Sequence, residues 1–420
     1  MYYWYKFFTY LFLPFAPLYL YLRKIKKKED PDRYLEKLSK TSLVRDDGFL
    51  IWLHVASVGE LMSILPLIEY CINQKKINKI LITSITLSSG NLVKKKFTNY
   101  PKISHQFLPL DIPTFTNKFL DHWKPNLSIF VDSEIWPNLI LQASKKKIPL
   151  LLVNGRITKK SFIRWKFIIS FAKKIFGKFN LCIASNKESE DFLKILGAKN
   201  IKNFGNLKFS GSKVEVKKLD LNFLDKIKNK KIWCAASTHP NEEIICAKSH
   251  IKIKEKFSEV LTIIIPRHIN RVKKINKNLV ELNLKIVFSS KLNELDKETD
   301  ILLVDSYGDS LKFYNISKYV FLGKSLIKSL IKDGGQNPIE PAKLGCKILH
   351  GPNVSNFAEI YEYLRKYRIT KEINNSEELG IYLIEEFKED KPRNYESSKK
   401  IEIHGKSIFD NVIKEINRYT

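Results

Sequence analysis

Short apolar runs alternate with longer segments of helical periodicity in this chain, and they do so twice, on either side of a charged break. Strands buried on both faces read as continuous apolar runs, and linking them through helices makes a parallel sheet covered on both sides. In the first series the strand candidates are Phe49–Val55, Lys79–Ile85, Leu127–Val131, Pro149–Val153 and Leu181–Ser185. Helical patterns lie between them at Leu61–Ile72, Pro113–Trp123, Pro137–Lys145 and Lys187–Leu196. Residues 210–230 lose the apolar runs and are expected to be a linker. The pattern then restarts with strands at Ile232–Ala236, Val260–Ile265, Lys285–Phe288, Ile301–Val304, Tyr319–Leu322 and Cys346–Leu349. Helices are expected there at Asn241–Ile253, Asn270–Val280, Ser310–Ile316 and Pro338–Leu344, with polar-faced helices from Phe357 to the end. With 420 residues, 44% of them hydrophobic, there is material for more than one core. The expectation is two doubly wound α/β domains, 31–215 and 216–420, facing across a cleft.

Residues 1–30 stand apart. Residues 2–22 carry one charge, Lys6, and run straight into Arg23, Lys24, Lys26, Lys27 and Lys28. The uncharged part, Phe7–Leu22, holds Pro14 and Pro17 and is shorter than the roughly 20 residues of a full span. A kinked membrane anchor is expected, spanning or lying in the interface, with the basic flank keeping the rest of the chain on the cytoplasmic side. A signal peptide would carry its basic residues before the apolar region, the reverse of this order. The net charge of +29, from 73 Lys+Arg against 44 Asp+Glu, attracts nucleic acid, anionic lipid or phosphorylated substrates alike. Its lysines are scattered rather than gathered with aromatics in one stripe, so nucleic acid is not an expected partner. Five widely spaced cysteines without a C-x-x-C pair argue against a disulfide framework and a zinc site, and suit a reducing cytoplasm.

Candidate chemistry sits at strand ends. In IWLHVASVGE (51–60) an apolar run turns into a helix start, and Ser57 and Glu60 stand three apart. That spacing is a capping box; a carboxylate at the C-terminal mouth of a parallel sheet is also where a general base would stand. Asp132 and Glu134 follow another strand, just before Pro137; Asp132 or Ser133 would equally serve as a helix cap. Lys208 follows the glycine turn at Gly205, and taken alone it is a surface lysine. In the second half, Pro266-Arg267-His268, Ser306-Tyr307-Gly308-Asp309 and Asp333-Gly334-Gly335-Gln336-Asn337-Pro338-Ile339-Glu340 all follow strands. Glycines before a helix start favour a phosphate, and a first-turn carboxylate such as Glu340 suits ribose hydroxyls. A nucleotide-binding second half is therefore expected.

The runs HVASVGE (54–60), SEIWPNLI (133–140), GNLKFS (205–210), ASTHPNEE (236–243), PRH (266–268) and GGQNPIEPA (334–342) together resemble the lipid A-specific 3-deoxy-D-manno-octulosonic acid (Kdo) transferases of Gram-negative bacteria. The resemblance runs in order from about residue 35 to 360. It implies a GT-B glycosyltransferase fold and inverting, metal-independent transfer of Kdo from CMP-Kdo to a lipid A precursor, lipid IVA, in lipopolysaccharide biosynthesis at the inner membrane. No cofactor is implied beyond the donor substrate. Glu60 matches the base that deprotonates the acceptor, and Glu134 (or Asp132) and Lys208 match positions that stabilise the transition state. Pro266, Arg267, Tyr307, Gly308, Asp309, Asn337, Pro338, Ile339 and Glu340 match CMP-contacting segments. The chain departs from the family at Gly323-Lys324-Ser325, where Gly-Gly-Ser is usual, at Gln336, where His is usual, and in a longer Leu326–Asp333. A different GT-B enzyme, using a UDP-sugar, is the rival that the fold pattern leaves open.

Overall fold

The computed structural model describes residues 1–211, 219–327 and 334–420. The chain divides into two compact units, Met1–Ser212 with His404–Thr420, and Lys213–Ile403. Each holds one parallel sheet of the Rossmann kind with helices on both faces.

In the first unit the strands are β1 (Leu50–His54), β2 (Lys79–Ser84), β3 (Ile103–Phe107), β4 (Leu127–Val131), β5 (Leu150–Gly155), β6 (Leu181–Ala184) and β7 (Ile201–Asn203), arranged β3-β2-β1-β4-β5-β6-β7. Each strand candidate of the first series forms. The two strands the pattern did not show, β3 and β7, are the sheet edges. Only Gln106 and Phe107 of β3 and no residue of β7 are buried, so neither needs an apolar run. The helix expected at Leu61–Ile72 is two, Val58–Ser63 and Leu65–Asn73, because Pro66 sits in the first turn of the second and removes a backbone donor. Trp52, Phe119, Phe130 and Phe176 fill the core against the sheet.

The second unit contains β8 (Lys231–Thr238), β9 (Val260–Pro266), β10 (Ile286–Phe288), β11 (Ile301–Leu303), β12 (Tyr319–Leu322), β13 (Lys347–His350) and β14 (Thr370–Glu372), ordered β10-β11-β9-β8-β12-β13-β14. The tail expected to be all helical from Phe357 opens with a helix, Ala358–Lys366, but then adds an edge strand, β14, of which only Thr370 is buried. Part of the expected linker, 212–218, lies outside the described residues. The rest of it contains a helix, Leu221–Ile227, that buries Phe223 and Ile227 and starts on an Asp220 cap. Phe223 and Ile227, four apart, give it one buried face among lysines.

His404–Thr420, expected within the second domain, packs with the first unit. The Tyr395–Ile416 helix places Gly405 so that a Cβ there would lie 2.2 Å from the Phe209 carbonyl, and Ile408 lies against Gly205, whose φ of +102° only glycine adopts readily. All five cysteines are buried free thiols.

The N-terminus forms two ten-residue helices, Tyr2–Leu11 and Ala16–Ile25, separated by a turn at Leu13–Phe15 containing Pro14. At about 1.5 Å per residue each reaches about half of a bilayer core. Among the described residues no helix is long and apolar enough to cross a membrane, so the spanning form of the expected anchor is not what the segment adopts. Instead Ala16 and Leu20 are buried with Leu38 and Ile112, and the Tyr5 hydroxyl donates to Asp111 at 2.8 Å. The outward face keeps Trp4, Phe7, Phe8, Leu11 and Phe15 exposed.

Candidate active site

Sequence order along the first sheet reverses between β1 and β4, and a doubly wound sheet binds its ligands outside the carboxyl ends of the strands at such a switch point. The loops leaving β1 and β4 carry Glu60 and the pair Asp132 and Glu134. The fold therefore brings all three acids to one place.

Glu60 occupies the capping box that its spacing predicts. Ser57 is the N-cap of Val58–Ser63 and its Oγ accepts from the Glu60 N–H at 3.4 Å. In return the Glu60 carboxylate accepts from the Ala56 N–H at 2.6 Å and from the Ser57 hydroxyl at 3.0 Å. These bonds orient the carboxylate. They do not hold its proton affinity down, because burial, with help from the nearby Glu134 and Asp132 charges, pushes the group up to about 7. A carboxylate oriented in this way and pushed up to about 7 has what a general base requires, and the capping bonds do not stand in the way of that use.

Asp132 leaves β4 with a left-handed φ of 61°. Burial raises its pKa, and the neighbouring Lys208 and Arg156 cations oppose that rise. Lys208 lies on a short turn, Leu207–Ser210, that packs against the helix carrying Glu60. Asn206 caps this turn, and Asn154 at the end of β5 accepts from the Leu207 N–H at 2.9 Å. Lys208 is therefore built into the site rather than left on the surface. Glu134 accepts from Trp136 Nε1 at 3.0 Å and lies 3.3 Å from His54 Nε2. Arg156, Trp136 and the role of His54 escaped the sequence reading; the one available signal was a histidine closing a fully buried strand.

In the second unit the order reverses between β8 and β12. Pro266 ends β9, and the Arg267 N–H donates to the Thr238 carbonyl of β8 at 3.1 Å. Tyr307, Gly308 and Asp309 follow β11; Tyr307 is 67% exposed, Gly308 has a φ of +84°, and Asp309 pairs with Lys312 at 3.1 Å. Asn337, Pro338, Ile339 and Glu340 lie between β12 and β13, where Asn337 Oδ1 accepts from the Ile339 N–H at 3.2 Å and burial raises the Glu340 pKa. All three segments thus leave the carboxyl edge of one sheet. The helix they lead into, Ile339–Lys343, is only five residues long, so its dipole offers less to a phosphate than the glycine turn suggested. Asp333 and most of the lengthened Leu326–Asp333 stretch lie outside the described residues.

The departure at Gly323-Lys324-Ser325 has a clear geometry. Gly323 has no room for a side chain, since a Cβ would meet the Ser237 carbonyl at 2.6 Å and Glu242 Oε2 at 2.7 Å. Lys324 takes a left-handed φ of 59°, where a glycine would rest without strain. Buried Glu242 compensates by accepting from the N–H groups of His239, Lys324, Ser325 and Leu326 at 2.7–3.1 Å.

Residues 28–211 match the family model described as 3-deoxy-D-manno-octulosonic-acid transferase (kdotransferase). A 3-deoxy-D-manno-octulosonic acid transferase of Rickettsia bellii is 34% identical over 422 residues, covering 99% of both chains. One from Haemophilus influenzae is 30% identical over 386 residues, covering 89% of this chain and 88% of that one. Among solved structures, the UDP-GlcNAc 2-epimerase of Neisseria meningitidis bound to UDP-GlcNAc is similar with a TM-score of 0.58 and 15% identity, over 87% of this chain and 100% of that one; this is a likeness of fold alone.

Proposed function

From the premise that this chain belongs to the Kdo transferase family and is a glycosyltransferase, we propose that it transfers Kdo from CMP-Kdo to the lipid A precursor lipid IVA with inversion, using Glu60 as the general base. The observation that carries the mechanism is the Glu60 carboxylate at the first switch point, titrating near neutrality beside Asp132, Glu134 and Lys208. Glu60 accepts the proton of the acceptor hydroxyl as its oxygen attacks the anomeric carbon of Kdo. The bond from that carbon to the phosphate oxygen breaks, and CMP leaves as a phosphate monoester. A single displacement of this kind inverts the anomeric centre. Lys208 and Arg267 are the cations proposed to meet charge that develops in the transition state, and no metal ion is needed for that role.

CMP is assigned to the carboxyl edge of the second sheet. Replacing Arg267 or Glu340 with Ala is expected to weaken CMP binding by about 10- to 100-fold, the worth of one charge-assisted hydrogen bond, while the fold is kept. Calorimetric titration with CMP checks this, and unchanged affinity in both variants would move the nucleotide elsewhere.

The acceptor is a phosphorylated glycolipid, and the reading locates the enzyme on the cytoplasmic face of the inner membrane with its N-terminal helices lying in the interface. Exposed Trp4, Phe8 and Leu11, followed by the Arg23–Lys28 block, support that reading. The variant Trp4→Ser/Phe8→Ser/Leu11→Ser is expected to lower partitioning onto anionic phospholipid vesicles in high salt on the order of 10²-fold, with an unchanged melting temperature because none of the three is buried. Equal partitioning of variant and parent would mean that another surface makes the contact.

A further inference from the structure

We infer that His54 is a positioning residue, which fixes the Glu134 carboxylate at the first switch point through a hydrogen-bond chain running out of the sheet interior. Trp52 and His54 stand two apart on β1 and so share a face, and the β1–β2 register sets His54 opposite Thr83. All three are fully buried, so their polar atoms depend on one another for partners. Trp52 Nε1–H donates to Thr83 Oγ1 at 2.8 Å. His54 Nδ1 lies 2.9 Å from Thr83 Oγ1, and a Thr83 hydroxyl that donates to it leaves the imidazole proton on Nε2. That N–H points at Glu134 Oε2 at 3.3 Å, the same oxygen that accepts from Trp136 Nε1 at 3.0 Å. Trp136 Nε1–H also lies 3.2 Å from His54 Nε2, and we assign the tautomer in which Glu134 Oε2 takes both N–H groups, because the opposite one would aim an imidazole lone pair at a carboxylate oxygen. Polarity therefore runs one way, from Trp52 to Glu134.

The consequence rests on the reading of Glu60 as the base. Glu134 is one of the charges that keep the Glu60 proton affinity high. A Glu134 free to swing would alter the charge beside both Glu60 and Asp132, without touching the nucleotide segments of the second unit.

Two substitutions separate this role from mere core filling. A glutamine at 54 can place an amide N–H where Nε2–H stands and still reach Glu134, whereas an asparagine matches only the Nδ1 end and falls short. His54→Asn is expected to lower kcat by about 10²-fold, in the range of losing one preorganised donor, with CMP affinity unchanged, and His54→Gln to recover to within about 10-fold of the parent. In a Glu134→Ala background His54→Asn should cost nothing further. Equal losses in both single variants, or an additive loss in the double variant, would overturn the assignment.

A readout independent of activity is the indole N–H resonance of Trp136 in protein labelled with 15N-tryptophan, assigned by its loss in Trp136→Phe. It should move in His54→Asn and stay in place in His54→Gln; no movement in either would overturn the proposal. If the parent enzyme failed to transfer Kdo, the functional reading would fall while the resonance still reported on His54 and Glu134. Should His54→Asn not fold, the isosteric Thr83→Val breaks the same chain one link earlier and should move the same resonance, and its failure to do so counts equally against the proposal.

Discussion

Glu60→Gln is expected to lower Kdo transfer by about 10²- to 10⁴-fold, the usual worth of a positioned base, while leaving the protein folded and able to bind CMP. Glutamine retains the reciprocal bonds of the capping box, since its oxygen can still accept from Ala56 and its amide can donate to Ser57. What it loses is only the ability to take a proton. Two further signs accompany the loss. The rate of the parent enzyme should rise with pH through a midpoint near the raised Glu60 value of about 7, and that limb should vanish in the variant. Stability should move in the opposite direction. A carboxyl whose folded pKa is raised from 4.5 to about 7 binds more protons folded than unfolded, so its contribution is complete below the unfolded value and is lost as pH climbs through the folded one. The parent should therefore lose up to about 2–3 kcal/mol relative to Glu60→Gln between those limits. Melting curves at pH 5 and pH 8 check this; a variant less stable than the parent at both would reduce Glu60 to a helix cap.

Lys208→Ala is expected to slow turnover by about 10²- to 10³-fold, with little change in CMP affinity. The physical case is the placement of its turn, which is held from beneath by Asn154, packs on the Glu60 helix and brings the ammonium beside Asp132. Removing the cation also takes away one of the two charges that oppose the rise in the Asp132 pKa, so that carboxyl should titrate higher still in the variant. A lysine serving only the surface would leave the rate intact. Single-turnover measurements with the parent and the variant at saturating donor separate the two, and a rate within a factor of about two would return Lys208 to the surface.

The inner strands of both sheets were legible because burial on two faces demands an unbroken apolar run, as in Leu127–Val131 and Tyr319–Leu322. The edges were not. Ile103–Phe107, Ile201–Asn203 and Thr370–Glu372 bury two residues, none and one, and read as polar loops or helix. Glu60, Asp132, Glu134 and Lys208 could be named from sequence because they follow strand ends, and residues from three separate segments then met at one end of the first sheet. His54 was hidden for the opposite reason. A histidine that closes a buried strand looks like core until the three polar side chains around it, 29, 80 and 82 residues away in sequence, are seen. The N-terminal segment shows a similar limit: composition marked it as apolar, but only the packing of Ala16 and Leu20 and the Tyr5–Asp111 bond reveal that one face is docked on the first unit.

The most direct test of the account is a product assay by mass spectrometry, in which the purified 420-residue chain is incubated with CMP-Kdo and lipid IVA. Lipid IVA should gain one or more Kdo units with stoichiometric release of CMP. An acceptor that stays unmodified while a UDP-sugar is consumed instead would contradict it.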